Sequence, residues 1–323
     1  MITEHSIDSS LDLVEEIKRL RKDMNAIILA HYYQDDELQD IADFVGDSLE
    51  LSRKAAATNA DVIIFCGVTF MAEVAKILNP DTPVIVPDMA AGCSLEQSCP
   101  AEGFKRFREQ NPDHLALTYI NCSAEIKALS DIIVTSSSAE KIISQIPEET
   151  PILFSPDRHL GAYLSRKTGR DMLLWNGSCI VHEQFSEREL VRLKTQNPQA
   201  HVIAHPECPE SLLQHACHVG STSSLLRYTE EKSQGKDSEE FIVLTEPGII
   251  HQMKKASPTS IFYAVPGSME GCTSCNNCPF MKLNTLEKLY VSMVNRGPEI
   301  TLSEVLRLQA KNSLDKMLEM SAA

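Results

Sequence analysis

One block of sequence occurs three times in this chain. The copies align without a gap over 31–48, 119–136 and 205–222, and their offsets are 88 and then 86 residues. They begin and end at His31 and Ser48, Tyr119 and Ser136, and His205 and Thr222. This period is far longer than the repeat of about 20–50 residues that forms solenoids. The sequence therefore predicts three small domains related by a pseudo-threefold axis.

Each block contains three short apolar runs separated by helical stretches. The runs lie at 27–29, 62–65 and 84–86 in the first block, at 115–117, 152–154 and 172–174 in the second, and at 202–203, 241–244 and 261–263 in the third. Helical spacing continues from Leu38 through Ile41 and Ala42 to Val45. Continuous apolar strands alternating with helices are typical of parallel sheets covered on both faces. The predicted fold class is α/β, with three α/β/α domains and short parallel sheets around a central site.

The predicted domain boundaries follow from the repeat. The three domains are predicted at 25–108, 112–192 and 198–282, and terminal helices at about 8–24 and 283–320 are expected to pack on this core. No apolar run approaches the roughly 20 residues that cross a bilayer. The first residues lack the basic and apolar regions of a signal peptide. A soluble cytoplasmic protein without a membrane segment is expected.

The net charge of −15 argues against nucleic acid as a partner. Binding to a phosphate backbone needs a basic footprint, which this composition does not provide. A small anionic metabolite is still compatible with an acidic chain, because local hydrogen-bond donors decide its binding. The expected ligands are therefore small molecules.

The ten cysteines predict a metal site. In a reducing compartment they are expected to be thiols or metal ligands rather than disulfides. Each repeat ends near one of them: Cys93, Cys179 and, in the third repeat, the motif Cys272-x-x-Cys275-x-x-Cys278. We favour Cys93, Cys179 and Cys278 as ligands, one from each repeat.

The loop at 272–278 has several interpretations by itself. A structural zinc site usually has a second Cys-x-x-Cys, which the sequence lacks. Cys272 and Cys275 could form a redox pair. An iron–sulfur cluster is also compatible, since a Cys-Pro ending is common in iron–sulfur loops. The repeat favours the cluster, because three thiolates leave one iron of a [4Fe–4S] cubane open as a Lewis acid.

Motifs spread over the whole chain carry a specific resemblance. They are Leu-Ala-His31-Tyr-Tyr33-Gln, Gly-Asp-Ser48, Gly-Cys93-Ser-Leu, Tyr119-Ile-Asn121, Thr-Ser136-Ser, Trp175-Asn-Gly-Ser-Cys179-Ile-Val-His182-Glu, His205-Pro-Glu207-Cys, Gly-Ser-Thr222-Ser and Cys278-Pro-Phe-Met. Together these segments resemble the quinolinate synthase family. Any one of them alone would be a weak signal.

The resemblance implies a fold, a cofactor and a reaction. It implies three α/β/α domains around one [4Fe–4S] cluster held by Cys93, Cys179 and Cys278. It also implies condensation of iminosuccinate (iminoaspartate) with dihydroxyacetone phosphate to give quinolinate, phosphate and water in de novo NAD biosynthesis. A functional link to an L-aspartate oxidase, which would supply the imine, fits the same pathway. Only some members of the family have the additional Cys272 and Cys275.

The aligned turns supply the candidate substrate-binding and catalytic groups. Ser48, Ser136 and Thr222 are expected to open helices, whose free backbone N–H groups and hydroxyls bind carboxylate or phosphate. The triplets Tyr119-Ile120-Asn121 and His205-Pro206-Glu207 are expected to contact substrate. His31 and His205 are candidate anion donors or acid–base groups. Tyr33 is a candidate proton donor and acceptor, and Glu207 is the first choice for general base.

Two other functions remain open from the residues alone. An iron–sulfur redox sensor could bind a small anionic metabolite without converting it. The His, Tyr and Glu groups at the turns favour an enzyme, since a sensor would not need them. A structural zinc protein would contain zinc and would be colourless.

Overall fold

The repeats fold into three parallel sheets. A computed structural model describes residues 2–236, 238–267 and 276–322. Each repeat forms one four-stranded sheet, in which the first strand lies between the second and the third. The strands are β1 (Ala26–His31), β2 (Phe44–Gly46), β3 (Val62–Cys66) and β4 (Val84–Ile85); β5 (Leu115–Tyr119), β6 (Ile132–Val134), β7 (Ile152–Ser155) and β8 (Met172–Leu174); and β9 (His201–Ala204), β10 (His218–Val219), β11 (Glu240–Leu244) and β12 (Ile261–Ala264). The predicted α/β class with three short parallel sheets is confirmed.

Helices connect the strands in the same order in each repeat. They are α1 (Leu13–Asp23); α2 (Asp36–Ile41), α3 (Ser48–Ala56), α4 (Thr69–Leu78), α5 (Ser94–Gln97) and α6 (Ala101–Gln110); α7 (Ala124–Leu129), α8 (Ala139–Ile143), α9 (Arg158–Thr168), α10 (Ile180–Glu183) and α11 (Glu187–Gln196); α12 (Glu210–Leu213), α13 (Thr222–Ser233) and α14 (Ile249–Ala256); and α15 (Leu286–Asn295) and α16 (Glu304–Ala322). Short 3-10 turns lie at Glu4–Ser6 and Met281–Leu283.

The sequence pattern missed one strand in each sheet. The helical spacing through Val45 was wrong, because α2 ends at Ile41 and Val45 belongs to β2. The equivalent strands β6 and β10 are equally short. A strand of two or three residues is too short to show an alternating pattern. Val45 lies seven positions after Leu38, a spacing that also fits a helix. Only pairing with β1, β5 or β9 distinguishes the two.

The terminal helices pack on different repeats. The predicted stretch 283–320 contains two helices, because Arg296 adopts a left-handed conformation with φ of 51° and ends α15. The helix α1 packs on α15, and α16 packs on α7 and β6. The Ser313 hydroxyl donates to the Lys127 carbonyl at 2.7 Å across the latter contact. Each sheet lies within one of the ranges proposed for the domains, whose exact boundaries stay a prediction.

Burial of the strands positions the turns at their carboxyl ends. All five residues of β3 are buried, as expected for a parallel sheet that is covered on both faces. In this strand order the topological switch point adjoins the first strand of each sheet, where ligands of α/β proteins bind. The turns after β1, β5 and β9 therefore face one centre. Among the described residues, no helix is long and apolar enough to cross a membrane.

Candidate active site

One cavity of about 650 Å³, including its open mouth, collects side chains from all three repeats. His31 and Tyr119 end β1 and β5, and His205 directly follows β9. Most of the residues predicted from the sequence line this cavity: His31, Tyr33, Ser48, Cys93, Tyr119, Asn121, Ser136, Cys179, His205, Glu207, Thr222 and Cys278. The tertiary structure thus brings together turns that are 86 to 88 residues apart in the sequence.

Two predicted substrate-binding residues do not line the cavity. The Ile120 side chain is buried in the hydrophobic core, and its backbone N–H donates to the Val134 carbonyl at 2.8 Å. Pro206 is buried and, as proline, has no N–H to offer. Both are the middle residues of their triplets. In each triplet the flanking residues enter the cavity and the middle residue does not.

The three predicted anion-binding hydroxyls differ in their position relative to a helix. Ser48 and Thr222 are the first residues of α3 and α13, while the capping residues are Asp47 and Ser221. Ser136 lies in a turn three residues before α8, so its expected position at the start of a helix was wrong. The turn 136–138 delays the helix in the second repeat, although the hydroxyl still lines the cavity.

His31 and His205 occupy equivalent positions with the same proton arrangement. The backbone N–H of Tyr33 donates to His31 Nδ1 at 3.1 Å, and that of Glu207 donates to His205 Nδ1 at 3.4 Å. Each Nδ1 is therefore an acceptor, which leaves the proton of the neutral ring on Nε2. Burial lowers the pKa of His31 to about 4 and that of His205 to about 3, against the attraction of nearby carboxylates. Both rings are neutral hydrogen-bond donors near pH 7.

Glu207 is the hub of the polar groups in the cavity. Its side chain is buried, the Tyr119 hydroxyl donates to Oε1 at 2.6 Å, and His182 Nδ1 lies 2.9 Å from Oε2. Burial would raise the pKa of Glu207, but the attraction of the nearby His182 and the hydrogen bond from Tyr119 outweigh it. The pKa is held below its ordinary value, so Glu207 is charged.

A chain of contacts links Glu207 to Tyr33. His182 Nε2 lies 3.0 Å from Thr245 Oγ1, which lies 2.6 Å from the Tyr33 hydroxyl. Burial, and secondly the charge of Glu207, raise the pKa of Tyr33 well above its ordinary value, so this hydroxyl keeps its proton. These contacts connect a potential proton donor, Tyr33, to the charged carboxylate of Glu207 through Thr245 and His182.

Several residues of the cavity were not predicted from the sequence. His182 and Glu246 line it, and Thr245 completes the chain of contacts. Thr245 and Glu246 directly follow β11, so the strand-end rule could have found them. His182 gave only the signal of lying three residues after Cys179. Burial raises the pKa of Glu246 to about 7, and the nearby Lys282 opposes this shift.

Three cysteine thiols face the same cavity. Cys93 and Cys179 cap the short helices α5 and α10, and Cys278 precedes the 3-10 turn at Met281–Leu283. Nearby backbone N–H groups lower the pKa of each thiol, those of Leu95 and Glu96 at Cys93, of His182 at Cys179, and of Phe280 and Met281 at Cys278. Burial raises the pKa of all three thiols, so they would be thiolates only beside a strong positive charge. Three convergent soft ligands with N–H donors fit an iron–sulfur or other metal group.

A second potential ligand set overlaps the first. Ligand atoms of Cys179, His182 and Glu207 all lie within 4.8 Å of one another. However, both nitrogens of His182 already face other groups, Glu207 on one side and Thr245 on the other. The three thiols are therefore the better metal ligands among the described residues. Cys272 and Cys275 lie outside those residues.

The donors of the cavity are neutral. No lysine or arginine among the described residues lines it. Asn121 Oδ1 is buried and has no hydrogen-bond partner within the described part of the chain, although a buried carbonyl oxygen normally has one. The cavity thus offers hydroxyls, neutral imidazoles and an unpaired amide, which together suit a small polar ligand.

Comparisons with known proteins agree over nearly the whole chain. The family model described as "Quinolinate synthetase A protein" matches residues 15–319. A "Quinolinate synthase" of Nostoc sp. (strain PCC 7120) is 60% identical over 311 residues, 96% of this chain and 94% of the relative. One of Ehrlichia chaffeensis is 61% identical over 312 residues, 96% and 98% of the two chains. One of Thermosynechococcus vestitus is 59% identical and covers 96% of both. The chain is an enzyme and belongs to the quinolinate synthetase A family.

Proposed function

We propose that this enzyme condenses iminosuccinate with dihydroxyacetone phosphate to give quinolinate, inorganic phosphate and water, as a step of de novo NAD biosynthesis. The observation that carries the proposal is the cavity in which three thiols, two neutral histidines and the charged Glu207 converge. The high identity to proteins named quinolinate synthase supports the same reaction. An L-aspartate oxidase is the expected source of the imine, because that oxidation produces iminosuccinate.

Cys93, Cys179 and Cys278 would hold a [4Fe–4S] cluster, one per chain. Their shared cavity and the backbone N–H groups near each sulfur support this assignment. A cluster with three protein ligands has one open iron, which supplies Lewis acidity toward a substrate oxygen or nitrogen.

Neutral donors hold the two anionic substrates. The hydroxyls and backbone N–H groups of Ser48 and Thr222, the first residues of α3 and α13, bind carboxylate or phosphate oxygens. The Nε2–H groups of His31 and His205 donate to further oxygens, since both rings are neutral. This replaces acid–base catalysis by these histidines, because Nδ1 of each ring already accepts a backbone N–H and Nε2 carries the proton, so neither nitrogen has a free lone pair. Asn121 orients the substrate through its unpaired amide oxygen.

Glu207 and Tyr33 move the protons. Isomerisation of the carbonyl of dihydroxyacetone phosphate needs one group that removes a proton from carbon and one that protonates the oxygen. Glu207 is charged and accepts the proton, while the Tyr33 hydroxyl keeps its proton until it donates it. Thr245 and His182 connect the two groups, so a proton taken at Glu207 can return to Tyr33. Tyr119, which donates to Glu207, fixes the carboxylate during this transfer.

An anaerobic assay tests the reaction. The purified chain is mixed with dihydroxyacetone phosphate and freshly generated iminosuccinate, and quinolinate and phosphate are quantified. We expect both products in equal amounts. Protein that contains its full complement of iron but forms neither product would contradict the proposal.

Cysteine variants test the assigned ligands. Cys278→Ser is expected to lose the iron, the sulfide and the brown colour, because the cavity then has only two thiols. Cys217→Ser is the matched control, since Cys217 is exposed and lies outside the cavity. Cys272→Ser is expected to keep the cluster. If the Cys272→Ser protein is colourless and the Cys278→Ser protein is brown, Cys272 and not Cys278 is the ligand.

A further inference from the structure

Three cations stand at equivalent positions of the three repeats. Arg53, Lys141 and Arg227 are each five residues after the aligned hydroxyl at Ser48, Ser136 or Thr222. They lie on the equivalent helices α3, α8 and α13. All three are exposed, and each repeat contributes one. We call these three residues the cation ring.

The cation ring lines a second pocket outside the inner cavity. This pocket, called the vestibule below, has a volume of about 600 Å³ including open solvent, and it is also lined by Ser137, Ser138, Ser223 and Ser321. Asp47 lines both the vestibule and the inner cavity. The two spaces therefore adjoin each other at Asp47.

A constriction of three side chains separates the two spaces. The hydroxyls of Ser137 and Ser223 donate to Asp47 Oδ2 at 2.5 and 2.6 Å. The other oxygen, Oδ1, caps α3 by accepting from the N–H groups of Leu49 and Glu50. One residue of each repeat thus meets at this point. Rotation of the two serine hydroxyls breaks both contacts without moving Asp47.

Ion pairs among the described residues do not compensate the charge of the cation ring. Within residues 2–236, 238–267 and 276–322, no carboxylate lies within 4.0 Å of a ring cation. Arg53 donates to the Ser321 hydroxyl at 2.9 Å and Lys141 to the Ser321 carbonyl at 3.1 Å, and both acceptors are neutral. The two acidic residues that line the vestibule are engaged elsewhere: Asp47 as described, and Glu50 with Tyr32 and the Asp47 N–H.

We propose that the vestibule is a docking site for a phosphate-bearing substrate before it enters the inner cavity. Three cations around one mouth raise the local concentration of a dianion, even on a chain whose net charge is −15. The inner cavity offers neutral donors and no described lysine or arginine. The vestibule would therefore attract the substrate, and the inner cavity would orient it. This inference rests on the proposed function, from which the phosphate-bearing substrate follows. The cation ring does not select one orientation of the substrate, because each repeat contributes one positive charge at the equivalent position.

A charge-matched pair of variants tests the vestibule. The ring variant combines Arg53→Gln, Lys141→Gln and Arg227→Gln. The control variant combines Lys54→Gln, Lys105→Gln and Lys254→Gln, which removes the same charge from exposed positions outside both pockets. We expect the ring variant to lose about tenfold in kcat/KM for dihydroxyacetone phosphate at low ionic strength. The loss should disappear near 1 M salt, where the screening length is only about 3 Å.

Phosphate binding provides a readout that does not depend on turnover. Inorganic phosphate is titrated into the full-length, iron-loaded proteins and followed by ³¹P line broadening. We expect the wild-type and control proteins to broaden the signal at low salt and the ring variant to broaden it several-fold less. Equal broadening and equal kcat/KM in the ring and control variants would overturn the vestibule. If wild-type protein makes no quinolinate but phosphate binding still depends on the ring, the proposed reaction fails and the anion site stands.

Discussion

The inner cavity and the vestibule are built from the same three repeats, but the vestibule preserves the repeat symmetry and the inner cavity does not. In the vestibule the equivalent positions carry Arg53, Lys141 and Arg227, so three positive charges are preserved. In the inner cavity the third residues of the aligned turns are Tyr33, Asn121 and Glu207, three different chemical groups. Attraction of a diffusing anion needs only charge, whereas one reaction on one unsymmetrical substrate needs different groups on different sides.

The comparison also explains why the repeats have diverged at some positions and not at others. Asp47 lies between the two regions and exists only in the first repeat; the equivalent positions carry Thr135 and Ser221. One carboxylate can accept from hydroxyls of the other two repeats, but three carboxylates at the same point would repel one another. The change from symmetric to asymmetric chemistry therefore occurs at the constriction.

The largest expected effect is at Glu207 in the inner cavity. Glu207→Gln removes the proton acceptor and its contact with His182, so kcat should fall by about 10²–10⁴. Steady-state kinetics and iron content are measured together, because Glu207 lies near Cys179. Glu210→Gln, on the exposed start of α12, is the matched control and should behave like the wild type. A Glu207→Gln enzyme with full iron content and normal kcat would remove Glu207 from the mechanism.

A comparison of the neighbouring residues Tyr32 and Tyr33 distinguishes effects inside the inner cavity from effects outside it. Tyr33→Phe deletes the hydroxyl that contacts Thr245, and we expect kcat to fall by about 10². Tyr32→Phe deletes a hydroxyl that donates to Glu50 outside the inner cavity, and we expect less than a fivefold change. Equal losses in both variants would mean that the Tyr33 hydroxyl has no role in proton transfer. Single-turnover product formation distinguishes slower chemistry from slower product release.

The neutral histidines should lower the free energy of unfolding at acid pH. Burial lowers the pKa of His31 from 6.5 to about 4, so between these values the unfolded chain binds a proton and the folded chain does not. The free energy of unfolding therefore falls as the pH decreases from 6.5 to about 4, by about 3 kcal/mol from this group.

Chemical denaturation followed by circular dichroism at several pH values checks this expectation. His31→Gln removes the titrating ring and should lose less stability over the same interval than the wild type does. His205→Gln should change the slope in the same direction, because burial lowers the pKa of His205 as well. A His31→Gln protein with the wild-type pH dependence would mean that His31 is charged in the folded state. Cluster absorbance is recorded in parallel, so that loss of metal is not mistaken for unfolding.

The smallest expected effects are at single positions of the cation ring. Arg53→Gln, Lys141→Gln and Arg227→Gln should each lower kcat/KM for dihydroxyacetone phosphate about twofold at low salt, and by similar amounts. Similar effects would reflect preserved symmetry, in contrast with the unequal effects of Tyr33→Phe and Glu207→Gln. One ring variant that accounts for the whole loss would show a specific contact instead of a symmetric field.

Much of the fold was predictable because apolar periodicity reports burial. The long buried strands, such as β1 and β3, were predicted as strands, but the edge strand β2 was read as part of a helix. Within the candidate site, His31 and Glu207 were found because they follow predicted strands. His182 was passed over because a histidine on a short helix gives no sign of its neighbours. Its partners Glu207 and Thr245 are 25 and 63 residues away in the chain.

Residue type and spacing are enough to predict the repeat, the α/β class, the polar turns and the three candidate cysteine ligands. Which of those groups meet depends on how the three repeats pack together. The tertiary structure placed Ile120 in the core, paired His182 with Glu207, and made His31 and His205 neutral donors through burial. It also placed the cation ring around a vestibule that shares Asp47 with the inner cavity. Contacts, burial and charge depend on residues from different repeats, and spacing within one repeat does not encode them.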